Sequence, residues 1–174
     1  MQLDLSTQLP KVASYLFDVA GIVDFLTNSL VIYLILWKSS NMKTFRFYLL
    51  YFQLTTAVMD FYLAFLMKPI PVFPVIGGYT EGILYRFFGL SAHYQMTIQV
   101  FLMSVQEVSI LCAFLRKHQS IVPITKTKEW KKTYYWGLIV MAHSITLVVV
   151  ILYLFSNVTR EQQLEYIQTV SSMS

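Results

Sequence analysis

The chain has 174 residues, of which 56% are hydrophobic, 16% aromatic and 13% charged, and its net charge is +4. Soluble domains carry about 25% charged residues, so a fully water-exposed surface is excluded. The basic residues gather in two linkers, which points to membrane topology and away from a nucleic-acid partner. The single cysteine, Cys112, excludes an intrachain disulfide framework and a cysteine-based zinc site.

The amino-terminal stretch MQLDLSTQLPK lacks the basic start of a cleavable signal peptide, so the first apolar run is expected to remain as an anchor. That run covers residues 15–37, and three more follow at 47–67, 87–115 and 134–155. Each reaches the ~20 residues that a helix needs to cross a ~30 Å hydrocarbon layer. The segments LVIYLILW (30–37) and LVVVILYLF (147–155) have no polar face, unlike the helices of a soluble bundle. Backbone groups in lipid must be satisfied within the helix, so each run predicts one helix. The expected fold is all-α, a polytopic membrane helix bundle of four transmembrane helices forming one domain over residues 1–174.

The first span carries Asp18, Asp24 and Asn28, and Ser39-Ser40-Asn41 is expected to end it and to cap the next helix. The second span carries Asp60. A rise of ~1.5 Å per residue puts Asp24 ~14 Å and Asp60 ~11 Å below the outer ends of their helices. The two can therefore meet, with Asn28 as a donor one turn below Asp24. Two close carboxylates do not both ionise cheaply, so such a pair would keep one proton. Alternatively, Asp60 holds a sodium ion or pairs with a base outside this chain.

The second linker, KPIPVFPVIGGY at 68–79, is apolar but too proline-rich to span. An ordered loop folded onto the bundle is expected, because Ile70, Val72, Phe73, Val75 and Ile76 are costly to leave in water. In the third span Ser91, Gln95, Gln99, Gln106 and Ser109 fall within roughly 40° of one line along the helix. Leu90, Ile98, Phe101 and Val108 lie opposite. A polar stripe at lipid depth faces the bundle interior or a cavity. It either bonds neighbouring helices or lines a ligand pocket, and Gln95 and Gln99 are the pocket candidates. Glu107 lies about 12 Å from the inner end of the 87–115 helix. Pro123 is expected to break the third linker after a helical extension. In the fourth span His143 reads as a satisfied packing histidine, and His93 as an interfacial residue of the third.

The first and third linkers hold nine of the Lys and Arg residues: Lys38, Lys43, Arg46, Arg116, Lys117, Lys126, Lys128, Lys131 and Lys132. The other side holds four: Lys11, Lys68, Arg86 and Arg160. The positive-inside rule places the nine in the cytoplasm and both chain ends outside. Asn157-Val158-Thr159 is an N-glycosylation acceptor triplet in the predicted outer tail, with Asn157 the acceptor. The sequence shows no nucleophile elbow, phosphate-binding glycine loop or metal motif, so neither an enzyme nor a cofactor or metal site is expected.

The run Arg46-Phe47-Tyr48-Leu49-Leu50 with Gln53 and Asp60 resembles the second-helix signature of nematode serpentine chemoreceptors, seven-helix G-protein-coupled receptors. The stretch from Lys68 to Tyr79, with Gly82, is similar to the proline-rich outer segment of the class I members, which neighbour class H. Phe114-Leu115-Arg116-Lys117-His118-Gln119 resembles their basic motif at the inner end of the third helix, with Lys117 inserted before the histidine-glutamine pair. The chain then matches helices one to four of such a receptor. The resemblance implies a small-molecule chemical cue, a heterotrimeric G protein, and residence in the plasma membrane of sensory neuron cilia. It also implies that Arg116, Lys117 and His118 form the coupling surface. The family has seven spans, so these four are expected not to signal alone. A polar stripe left without neighbours in lipid would favour a receptor oligomer. Two other roles stay open: a four-helix interaction protein that associates with full-length receptors, and a transporter or channel subunit using Asp24, Asp60 and Glu107.

Overall fold

A computed structural model describes residues 2–39, 44–72, 77–125 and 131–156, together with Gln168. Four helices among these residues are long and apolar enough to cross a membrane: Lys11–Lys38, Phe45–Met67, Ala92–Val122 and Thr133–Phe155. The sequence positions of all four spans are thus found, with changed boundaries. Leu26, Leu30 and Trp37 in the first span and Val140, Leu147 and Leu152 in the fourth are exposed. Faces of this kind are stable in lipid and a liability in water.

Helix α1 runs over Gln2–Tyr33 and continues as a π-helical turn, Leu34–Lys38. It therefore starts well before residue 15 and passes through Pro10, whose missing N–H forfeits one helical bond. Helix α2, Phe45–Phe61, likewise ends in a π-helical turn, Tyr62–Met67. Gly21 of α1 lies against this turn, and a Cβ there would meet the Cβ of Ala64 at 2.7 Å. The missing side chain is what lets the first two helices approach so closely.

Between the second and third spans the chain forms a two-stranded antiparallel hairpin of β1 (Pro69–Val72) and β2 (Gly77–Thr80). Pro69 and Pro71 lack an N–H, so the ladder donors of β1 fall on Ile70 and Val72, which pair with Tyr79 and Gly77. Met67 and Ile70 are each 1% exposed, so the start of the linker is packed into the molecule. Of the five linker residues expected to need cover, Ile70 is the one whose side chain is described. Phe73, Val75 and Ile76 lie outside the described residues, as do Ser40, Asn41, Lys43, Lys126, Lys128 and Asn157.

The third span does not begin at residue 87. A short helix α3, Ile83–Phe88, ends at Gly89 in the left-handed conformation (φ 60°), and the long helix α4 begins at Ala92. Tyr85, Phe87 and Phe88 are exposed around this break, as aromatic residues are at a membrane boundary. Helix α4 continues to Thr125, so the backbone stays helical through Pro123 where a break was expected. Helix α5 covers Lys132–Phe155. The main packing runs α1 on α2, α2 on α4 and α4 on α5, which puts α2 and α4 at the centre.

Candidate functional site

The polar groups of the spans gather in three places. The first is the α2/α4 interface. Gln95 and Ser109 are fully buried and Gln99 is 7% exposed, so the stripe on α4 faces the interior. Gln106 Nε2 donates to Thr56 Oγ1 at 3.1 Å, and Ser109 Oγ lies 3.1 Å from Thr55 Oγ1. Tyr62 O–H donates to the Gln95 carbonyl at 2.7 Å. Thr55, Thr56 and Tyr62 were not among the sequence candidates. The adjacent Thr55-Thr56 pair in an apolar run was the signal that could have marked them. The half of the stripe away from the hairpin thus bonds helix to helix. The half nearer the hairpin differs. Gln95 Nε2 donates to the Leu90 carbonyl at 2.6 Å, but Gln95 Oε1 and Gln99 Oε1 are buried with no hydrogen-bond partner. Neither glutamine lines the two cavities described below. Val108, placed opposite the stripe by helical spacing, is also buried, because it turns toward α5.

The second place lies between α1 and α2. Asn28 Nδ2 donates to Asp60 Oδ2 at 2.9 Å, and Gln53 Nε2 donates to Asn28 Oδ1. Asp24, Asn28, Ser29 and Asp60 line one small cavity of about 100 Å³. Asp24 and Asp60 thus share a cavity, but the bonded partner of Asp60 is Asn28. Gln53 completes the chain and was not expected in it. At the hairpin end of the same helix pair, Lys68 pairs with Asp18. Lys68 is a left-handed residue (φ 43°), and its carbonyl accepts the N–H of Glu81 at 3.1 Å. One residue therefore ties the second span, the hairpin and α1 together.

The third place is a cleft of about 470 Å³ between α4 and α5, lined by Ser104, Glu107, Val108, Ala142 and Thr146 among others. Glu107 was expected about 12 Å from the inner end of its helix. With the span running over Ala92–Val122 it lies midway between the two ends. His143 is not packed in the interior. It is exposed on α5, with Nδ1 2.8 Å from the carbonyl of Ile139. At the hairpin end of this helix pair His93 stacks on Tyr153, with ring centroids 5.3 Å apart, and its Nε2 lies 3.3 Å from the Leu154 carbonyl.

At the far end of α4, Arg116 Nη1 donates to Gln119 Oε1 at 3.0 Å, while its Nε is buried with no partner. His118 Nδ1 lies 2.9 Å from the Tyr135 hydroxyl, so this histidine joins α4 to α5. Lys117 is exposed. No group of three or more His, Cys, Asp or Glu residues among the described residues has the geometry to hold a metal ion.

Four lipid-length helices with a buried polar stripe define a polytopic membrane protein of the helix-bundle class. A family model described as serpentine type 7TM GPCR chemoreceptor Sri matches residues 3–172, so the chain belongs to that receptor family. The family is one of receptors and not of enzymes. Comparison with curated proteins and with solved structures returned no match.

Proposed function

We propose that the chain detects a small chemical cue on the hairpin side of the membrane and passes the signal to a heterotrimeric G protein on the other side. Gln95 Oε1 and Gln99 Oε1 carry this reading. They are buried acceptors without donors, on the central helix and close to its hairpin end. Such atoms are rare in folded proteins, and each calls for a donor. A cue with a hydroxyl, amine or amide N–H meets that need. The resemblance to seven-helix receptors supports a cue site on the outer side and a coupling surface on the inner side. At the far end, the exposed Lys117 offers a donor to an incoming partner, and the half-buried Arg116 lies next to it. His118 contributes by holding α5 in place through Tyr135.

The residence that goes with this role is the plasma membrane of a sensory neuron cilium, with the amino terminus outside. Residues 1–174 supply four spans of a seven-span receptor type, and by this reading they do not signal by themselves. Activation needs two global states with different ligand contacts in each. The three acidic residues considered for ion transport lie apart. Asp24 and Asp60 line the α1/α2 cavity, and Glu107 lines the α4/α5 cleft.

The test is a chimera in which these residues are joined to the remaining helices of a related receptor, read by cue-dependent nucleotide exchange. Gln95→Leu with Gln99→Leu should weaken the response to a donor-bearing cue ~10-fold or more, the scale of one or two buried hydrogen bonds. Arg116→Ala with Lys117→Ala should lower maximal exchange at saturating cue. Normal signalling after loss of both basic residues would remove them from the coupling surface. An unchanged cue response in the glutamine variant would remove the buried acceptors from the ligand site.

A further inference from the structure

The cations at the two ends of the bundle differ in how they are paired. Beside the hairpin, Lys68 pairs with Asp18 and Arg86 with Glu81. At the end away from the hairpin, Lys38, Lys117 and Lys131 are exposed and have no ion pair among the described residues. Lysines are densest where α5 begins. Lys131 is the N-cap residue of that helix and Lys132 its first residue, and the chain before them adds Lys126 and Lys128 against one acid, Glu129. The stability of α5 does not account for them. The amino end of a helix is the positive end of its dipole, so lysines there are unfavourable. The first turn holds no acidic residue, and Lys131 makes no side-chain cap bond. Topology calls for basic residues on this side of the membrane, but not in the first turn of a helix. The span itself opens at Thr133. A rise of ~1.5 Å per residue leaves Lys131 and Lys132 within ~3 Å of it along the axis. Tyr134 and Trp136 are exposed just beyond, and residues of these types sit at headgroup level.

We propose that the start of α5, with Lys131 and Lys132, is a contact surface for anionic lipid of the adjoining leaflet. The charged headgroups of such a lipid lie at the level of these two residues. Both stand well inside the ~8 Å over which charges act on one another at physiological salt. Each lysine so placed strengthens attraction to an anionic surface ~5-fold. A negative headgroup also offsets the repulsion between the lysines and the helix dipole. The positive-inside rule assigns this end to the cytoplasm, whose leaflet carries the anionic lipid. A soluble acidic protein would meet the same charge. It would not meet the exposed rings of Tyr134 and Trp136 at the span boundary, and these favour the lipid. The lysines keep this contact whatever covers the sides of α5, because they stand at its end. The inference depends neither on the cue nor on G-protein coupling.

The experiment uses the 174-residue chain in phosphatidylcholine vesicles containing a minor fraction of phosphatidylserine. Trp37→Phe with Trp130→Phe leaves Trp136 as the single tryptophan. Its fluorescence is quenched by phosphatidylserine brominated on the upper acyl chain, and in a parallel sample by phosphatidylcholine brominated in the same way. Phosphatidylserine should be preferred beside Trp136 by ~5-fold or more, the scale of one lysine. The preference should shrink as added salt shortens the screening length. Lys131→Gln with Lys132→Gln should bring the two lipids to near equality, whereas Lys131→Arg with Lys132→Arg should keep the preference. A second reporter does not depend on how the glutamine variant folds. With all three native tryptophans changed to Phe and Tyr85→Trp at the hairpin end, the two lipids should quench equally, because Lys68 and Arg86 are already paired. Soluble glycerophosphoserine at matched ionic strength should not displace the lipid. Displacement would make this a site for free phosphate and overturn the lipid surface. Equal quenching of Trp136 by the two lipids, a preference unchanged in the glutamine variant, or the same preference at position 85 would overturn it equally.

Discussion

Asn28 shows how a single polar residue is judged in a lipid-facing helix. It accepts from Gln53 and donates to Asp60, so three side chains from two helices satisfy one another. Half of this was legible from spacing. Helix rise put Asp24 and Asp60 at similar depth with Asn28 one turn below Asp24, and the structure lines one cavity with all three. Gln53 was missed because depth alone does not say which way a long side chain leans. Replacing Asn28 with Leu strips a donor from Asp60 and an acceptor from Gln53. The expected cost is about 1–2 kcal/mol, the range for a lost interhelical hydrogen bond with a partner left unpaired. Unfolding in mixed detergent micelles measures it. Asn28→Leu with Asp60→Leu should recover part of the loss, because no carboxyl then remains unpaired. Wild-type stability in the single variant would show the chain of bonds to be energetically idle.

At the level of elements, length and hydropathy predicted each span, since a lipid-crossing helix must be long and apolar. They did not predict where each helix stops. Phe87, Phe88 and Leu90 are as apolar as the residues that follow, so the pattern runs on across Gly89. The break comes from a backbone conformation that composition does not register. The extension of α4 through Pro123 went unforeseen for the opposite reason, because a proline removes one helical hydrogen bond without forbidding the helix. The hairpin was read as ordered, but its strands were hidden by prolines that sit where a two-stranded ribbon needs no donor. Its exit is fixed by Gly82, whose N–H donates to the Met67 carbonyl at 3.0 Å. A Cβ on Gly82 would meet the Leu66 carbonyl oxygen at 2.2 Å. Backbone cannot yield there cheaply, so Gly82→Ala should cost about 1–3 kcal/mol as an overpacked site. The loss should fall on the hairpin first. Chymotrypsin added to sealed cells should cut at Tyr79 faster in the variant than in the wild type, while the spans stay intact. Equal cutting would mean that the hairpin is not held at Gly82.

The whole molecule carries an asymmetry that no single helix shows. One end has the hairpin, α3 with its exposed aromatic residues, and the Lys68–Asp18 pair. The other end has the long cytoplasm-style extension of α4, with Arg116 and Lys117 at its base. Nine basic residues belong to linkers at this second end and four to the first. Translocating Lys and Arg during insertion is costly, so the richer side is expected to be the cytoplasmic one. Lys68 strengthens the assignment, since its charge is already matched by Asp18 and does not count against an outer position. The four spans among the described residues return the chain to its starting side, so both ends of residues 1–174 should face out. Epitope tags placed before Gln2 and after Ser174 should bind antibody on intact cells, and a tag inserted at residues 126–128 should bind only after permeabilisation. Modification at Asn157 would agree, but its nearness to the span that ends at Phe155 makes the tags the decisive readout. An inaccessible carboxy-terminal tag beside an accessible amino-terminal one would mean an odd number of crossings. The hairpin would then be the first segment to reconsider, because Met67 and Ile70 already lie buried among the helices. A tag accessible at 126–128 would instead invert the whole bundle, and with it the sides assigned to the cue and to the G protein.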